Sequence, residues 1–191
     1  MSELADLRCP YNLHFGVDYA AIALLKLPKR RKSCNSSAPI GMKSHQPTAY
    51  RCPFCNILAG GEDERLFVLR DREVAAVLSL HQQAGNPGRL LLFPVRHLES
   101  IYSIPEELGA PLFNATKRLA IALKKTLGCA GITIRQNNEP AGDQDVWHYH
   151  VHIVPRYEKD DFHHEPRFVM PVPERMKYAK QLREALAKSA A

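Results

Sequence analysis

Three histidines alternate with apolar residues in Trp147-His148-Tyr149-His150-Val151-His152-Ile153-Val154. On an extended strand, side chains two residues apart share a face and stand about 7 Å from one another. The three imidazoles therefore line one surface, while Tyr149, Val151 and Ile153 point to the other. Imidazole titrates near neutrality, and its neutral form ligates metals or serves as nucleophile or general base. Upstream, Cys52-Pro53-Phe54-Cys55 has the spacing of a metal-binding knuckle. With His97 and one histidine of the triad it would complete a closed tetrahedral Cys2His2 zinc site. The chemistry these residues offer is a histidine-lined pocket beside a metal knuckle, fed by a segment carrying the amides Asn137 and Gln144.

Such groups need a sheet to carry them and helices to back it. Segments 66–69, 74–78 and 90–93 read as strands punctuated by Asp71-Arg72 and Gly85-Asn86-Pro87-Gly88, which predicts an antiparallel meander. Pro105 opens a segment with apolar residues at Leu108, Leu112, Ala115, Leu119, Ala122 and Leu123, steps of three and four that mark one buried helical face. Glu106 and Glu107 suit the N-terminal end of that helix, Lys124 and Lys125 its C-terminal end, and Gly128 its cap. Residues 132–134 and 148–154 read as two more strands, the second carrying the histidines. Residues 173–188, charged and rich in Leu and Ala, predict a second helix that lies on the domain or projects to a partner.

A chain of 191 residues with 45% apolar content suits one globular domain with spare length. Residues 1–49 lack periodicity, carry the run Lys29-Arg30-Arg31-Lys32 and continue into a Ser/Asn/Ala/Pro stretch. They are expected to form a poorly ordered basic extension, with the domain and its C-terminal helix at 50–191. The net charge of +6 suits anionic ligands but is inflated by that run, so charge alone selects no partner. No apolar stretch approaches the roughly 18 residues that would span a bilayer. Acidic residues at Glu3 and Asp6, together with an odd count of five cysteines, point to a reducing, cytoplasmic setting. A nucleic-acid-binding zinc module is the rival suggested by Cys52, Cys55 and the basic run. Against it, no helix with a finger-like histidine pair follows the cysteines.

The blocks from Tyr50 to Gly60 around the cysteines, Arg89-Leu90-Leu91-Leu92-Phe93-Pro94-Val95-Arg96-His97, and Gly142 to Arg156 with its alternating histidines occur together and in order. This pattern resembles the histidine-triad (HIT) superfamily over most of residues 50–157. The resemblance implies an α+β fold with an antiparallel sheet of five strands and two helices, continued across a homodimer. It also implies a nucleotidyl hydrolase or transferase, in which the middle histidine, His150, attacks a nucleotide α-phosphate and His152 contacts and orients that phosphate. As in zinc-containing members, Cys52, Cys55, His97 and His148 would hold a structural Zn2+ ion. Asn137 and Gln144 match positions of amides that hydrogen-bond the phosphate and the bridging or ester oxygen.

Three positions depart from the family's habit. Asp145 stands where a small hydroxyl residue is common. Ser79 falls where many members grip the ribose with an acid or amide, and it cannot supply a carboxylate's paired acceptors. Arg89 replaces a common histidine; it either is solvated or reaches a distal phosphate of a longer polyphosphate. Ser79 and Arg89 also motivate a second reading, a non-catalytic nucleotide-binding sensor or adaptor. A metal-dependent hydrolase with an open three-histidine site is a third, in which chelation would abolish activity at once.

Overall fold

A computed structural model describes residues 43–188. The basic run and the linker expected in the extension lie outside the described residues. Within them, Ser44 Oγ donates to Glu99 Oε2 at 2.5 Å and the His45 N–H to Glu99 Oε1 at 2.6 Å.

Five strands form one antiparallel sheet: β1 (Phe67–Arg70), β2 (Val74–Leu78), β4 (Leu90–Pro94), β5 (Gly131–Gln136) and β6 (Val151–Arg156), in the spatial order β1-β2-β4-β6-β5. Strands β3 (His81–Gln83) and β7 (Arg167–Val169) pair in a separate ribbon. Among the described residues, three α-helices accompany the sheet: the single turn α1 (Pro53–Asn56), α2 (Gly109–Leu127) and α3 (Val172–Lys188). The expected α+β architecture with a five-stranded antiparallel sheet is thus present.

Helix α2 buries Leu112, Ala115, Leu119, Ala122 and Leu123, the face that the apolar spacing predicts, with Leu108 buried in the turn before it. It stops at Gly128, whose φ of 62° is the left-handed conformation that closes a helix. Lys124 Nζ satisfies the carbonyls of Cys129 and Ala130 just past that end. Helix α3 lies on the domain, burying Arg175, Ala179, Leu182 and Leu186 at steps of four, three and four. Together α2 and α3 cover one sheet face, packing on Ala76, Leu78, Leu90, Leu92, Val151 and Ile153. The opposite face carries Ala75, Val77 and Phe93 against Cys52, Phe54 and Ile57 of the α1 region. Every residue of β2 is buried because both faces are covered.

The histidine segment departs from expectation in one respect. The strand predicted over 148–154 begins at Val151, and the β4–β6 ladder ends at Leu92 opposite Val151. Before that point the Tyr149 N–H bonds to Leu98 O at 2.6 Å, and the His148 ring takes Pro94 O. The backbone here is fastened to the loop after β4 instead of to a neighbouring strand. The alternation survives, since Tyr149, Val151 and Ile153 join the core under α2. Among the described residues, no helix is long and apolar enough to cross a membrane.

Candidate functional site

The cysteines sit at the start of α1. Cys52 is its N-cap, Pro53 occupies the first turn where no N–H is needed, and the Cys55 N–H points at Cys52 Sγ at 3.5 Å. That turn lies against the loop after β4, which carries His97, and against the approach to β6, which carries His148. Cys52 Sγ is 3.3 Å from His148 Nδ1, Cys55 Sγ is 3.3 Å from His97 Nδ1 and 3.8 Å from His148 Nδ1. All four donor atoms fall within 4.8 Å of one another. Bonds of zinc length at a tetrahedral centre would set sulfur–nitrogen edges of about 3.5 Å, close to these separations.

The tautomers agree with ligation. His148 Nε2 bonds to Pro94 O at 2.9 Å, and a carbonyl oxygen only accepts, so Nε2 carries the proton and Nδ1 keeps its lone pair toward the sulfurs. His97 does the same, with Nε2 donating to Gln46 Oε1 at 2.8 Å. Fixing a ligand histidine through its second nitrogen is the usual support for a metal. Burial also pushes His148 down to about 4, which keeps it neutral, whereas burial and neighbouring Cys52 push the Cys55 thiol up to about 11. Two thiols held this close need a cation between them to ionise together. The donor set therefore fits a metal ion, with sulfur and imidazole chemistry that suits zinc. Gln46 was not singled out from sequence, because a lone glutamine ahead of the domain carries no pattern.

Two residues beyond His148, His150 is almost fully buried, its ring 5.2 Å from Phe54 and 4.8 Å from His152. Its Nδ1–H donates to His148 O at 2.8 Å, which leaves Nε2 as the basic nitrogen. Asp145 Oδ1 lies 3.9 Å from that atom. Burial lowers the His150 pKa, opposed by the bond to His148 and the charge of Asp145. A neutral imidazole with its proton anchored on Nδ1 is a preorganised nucleophile or base. His152 is pushed to about 3 by burial first, then by His150 and by Arg89, Arg135 and Arg167. Its Nδ1 is buried and has no hydrogen-bond partner.

His150, His152, Ser79, Arg89 and Asp145 line one cavity, floored by Phe54, Ile57, Val77 and Leu91. An apolar floor with a polar rim beside His150 Nε2 suits a nucleoside. Ser79 Oγ donates to His81 O at 2.9 Å and accepts from Arg89 Nη2 at 3.3 Å. Arg89 is not solvated: it is 9% exposed, and burial with Arg167 and Arg135 lowers its pKa to about 10. Asn137 is buried along a second cavity, Nδ2 donating to Asp143 O at 2.8 Å and Oδ1 accepting from Arg135 Nε at 2.9 Å. Gln144 is not brought to either cavity. Its amide donates to Glu99 O at 2.6 Å and Val146 O at 3.0 Å and accepts from Glu139 N at 2.8 Å.

With this geometry in place, comparison with known proteins identifies the class. Residues 61–159 match the HIT domain, about half of the chain, and the protein belongs to the HIT family. Protein hit of Bacillus subtilis is 35% identical over 113 residues, covering 59% of this chain and 76% of that protein. The AP-4-A phosphorylase of Mycobacterium tuberculosis is 29% identical over 159 residues, covering 83% of this chain and 71% of that enzyme. Among solved structures, a Zn-bound histidine triad family protein from Mycobacterium smegmatis superimposes with a TM-score of 0.62 at 28% identity, covering 73% of this chain and 97% of that one.

Proposed function

We propose that this protein is a nucleotidyl hydrolase or transferase acting on the α-phosphate of a nucleoside polyphosphate, phosphoramidate or ester. His150 Nε2 attacks the α-phosphorus, a P–N bond forms as the bond to the leaving group breaks, and the leaving group departs with its electron pair. Water or another acceptor then attacks the same phosphorus, restores free His150 and releases the nucleotide. The observation that carries this reading is the His150 Nδ1–H bond to its own segment's carbonyl, which leaves Nε2 unprotonated beside a cavity with an apolar floor. The similarity to an AP-4-A phosphorylase supports the reaction class.

In this reading His152 contacts and orients the phosphate, Ser79 gives the nucleoside one hydrogen-bonding hydroxyl, and Asn137 approaches the phosphate from the second cavity. Gln144, tied to Glu99 and Val146, acts by holding the loop that delivers His148 and His150. A zinc ion on Cys52, Cys55, His97 and His148 would have no open coordination position and would serve as a brace for the histidine segment. A homodimer formed through β5, one of the two edge strands of the sheet, where Ile134 is 56% exposed, completes the proposal.

A non-catalytic nucleotide sensor remains the second reading, favoured by Ser79, whose single hydroxyl is already shared between His81 and Arg89. Intact-mass spectrometry of wild type and His150→Ala, quenched without acid after exposure to adenylylated substrates, separates the two. A nucleotidyl adduct on wild type alone is expected. A wild type that carries no adduct and turns nothing over, yet binds nucleotide, would replace the enzyme with the sensor.

A further inference from the structure

A second cavity shares His152, Arg89 and Asp145 with the one that His150 lines, and it adds Arg135 from β5 and Arg167 from β7. We propose that this second cavity is a phosphoryl-binding pocket built by Arg89, Arg135 and Arg167. Its ligand is a phosphate group beyond the α-phosphate of the substrate, or a free phosphate. The proposal rests on the nucleotidyl reading for its link to turnover, but the binding of the anion stands apart from it.

Arg89 carries the argument. Its guanidinium is buried, yet its contacts are neutral and long: Ser79 Oγ at 3.3 Å and Gln83 Oε1 at 3.4 Å, with Nε buried and unpartnered. A buried cation is ordinarily held by a carboxylate, because removal from water costs several kcal/mol per ion. The ion pairs that arginines make among the described residues belong to Arg65, Arg70, Arg156 and Arg175, and no carboxylate lies within 4.0 Å of Arg89, Arg135 or Arg167. Three guanidiniums from three separate strands or strand ends thus converge without a counter-ion.

The same cavity is lined by Asp143, Asp145 and Glu165. None of them lies within 4.0 Å of the three guanidiniums, and they differ from Arg89 in burial. The Asp145 side chain is 78% exposed, so its field is screened by water, whereas the Arg89 charge acts in a drier medium. A dianionic phosphoryl group seated there would accept the N–H groups that Arg89 now leaves unsatisfied, in the forked geometry guanidinium favours. Lying beside His152, the pocket selects leaving groups that are themselves phosphates over amine leaving groups, which bring no negative charge.

The test is calorimetric titration of the metal-loaded full chain with inorganic tripolyphosphate, on wild type, Arg167→Gln and Arg135→Gln. Both side chains are exposed, so the variants should fold. One-to-one binding by wild type, weakened at least tenfold by either change, is expected. No binding, or binding that neither variant weakens, would overturn the pocket. Turnover is read in parallel on a nucleoside polyphosphate and a nucleoside phosphoramidate. The ratio of their kcat/KM values should fall at least tenfold in Arg167→Gln, and an unchanged ratio would overturn the leaving-group assignment. If tripolyphosphate binds but wild type turns over neither substrate, the pocket stands and the catalytic reading fails. Where wild type turns over the polyphosphate, inorganic phosphate distinguishes the source: competitive inhibition assigns the pocket to the substrate's own distal phosphate, and nucleoside diphosphate formed only when phosphate is added assigns it to a free phosphate acceptor.

Discussion

Replacing Gln82 by leucine should destabilise the domain by about 3 kcal/mol. Gln82 is fully buried between β2 and β4, and its amide closes the connection between them. Nε2 donates to Ser79 O at 2.7 Å and Arg89 O at 3.2 Å, while Oε1 accepts from the N–H groups of Gly88 at 3.0 Å and Arg89 at 2.7 Å. Leucine keeps most of the volume and removes all four bonds. Arg89 O retains the Ser79 N–H at 2.9 Å, so Ser79 O, Gly88 N and Arg89 N lose the partner the side chain supplies. At roughly 1 kcal/mol or more for each buried orphan, the loss is about 3 kcal/mol, a fall of about 6–12 °C in Tm for a chain of this size. Urea unfolding followed by circular dichroism, on metal-loaded protein, measures it. Because the same bonds position Ser79 and Arg89, KM for nucleotide should rise as well. Gln82→Glu sharpens the test: the carboxylate turns acceptors toward two carbonyls, but its protonated form donates one bond. Burial raises its pKa above the ordinary value near 4.3, so this variant should recover stability as pH falls through that raised pKa. A Gln82→Leu protein within about 0.5 kcal/mol of wild type would refute the reasoning.

Three further outcomes follow from the site. His152, pushed to about 3 against about 6.5 in an unfolded chain, binds fewer protons when folded; its contribution to stability is full above about 6.5 and is lost as pH falls from there toward 3. Its imidazole resonances should stay flat down to pH 5, and a midpoint near 6.5 would contradict the burial argument. Cys55→Ser should lose most bound metal by inductively coupled plasma mass spectrometry, and chelation of wild type should loosen the fold slowly; instant loss of activity with an intact circular dichroism spectrum would point to an open catalytic metal. Ile134→Lys, at the exposed outer strand, should shift the mass measured by light scattering from dimer to monomer, and an unchanged mass would remove β5 from the proposed dimer face.

The sequence made the site legible where the signal was periodic and local. The apolar steps of α2 named its buried face residue by residue, because a helix on a sheet must repeat near 3.6. The alternation around His150 held even where the ladder did not, since an extended backbone alternates its side chains whether or not it is paired. Strands β3 and β7 were not legible. Each is three residues long, and Gln82 and Gln83, polar by type, are nevertheless buried: the Gln82 amide bonds to the backbone of Ser79, Gly88 and Arg89, and Gln83 Oε1 accepts from Arg89 Nη1 at 3.4 Å. The burial of Arg89 was hidden because it depends on the polar side chains of Ser79 and Gln83 and on the pairing of β3 with the remote β7, which apolar periodicity does not mark.

The candidate metal knuckle and His150, the proposed nucleophile, are linked through a single carbonyl. His148 gives its Nε2–H to Pro94 O and turns Nδ1 to the cysteines, which fixes its backbone, and His148 O then accepts the Nδ1–H of His150. Loss of the metal would therefore reach His150 without touching its ring: a freed His148 segment no longer holds the carbonyl that selects the tautomer. The alternation that first marked these residues is thus more than a way of lining a pocket. It turns one imidazole to the cysteines and the next, two residues on, to the cavity proposed for the chemistry, so that one short extended segment sets both orientations.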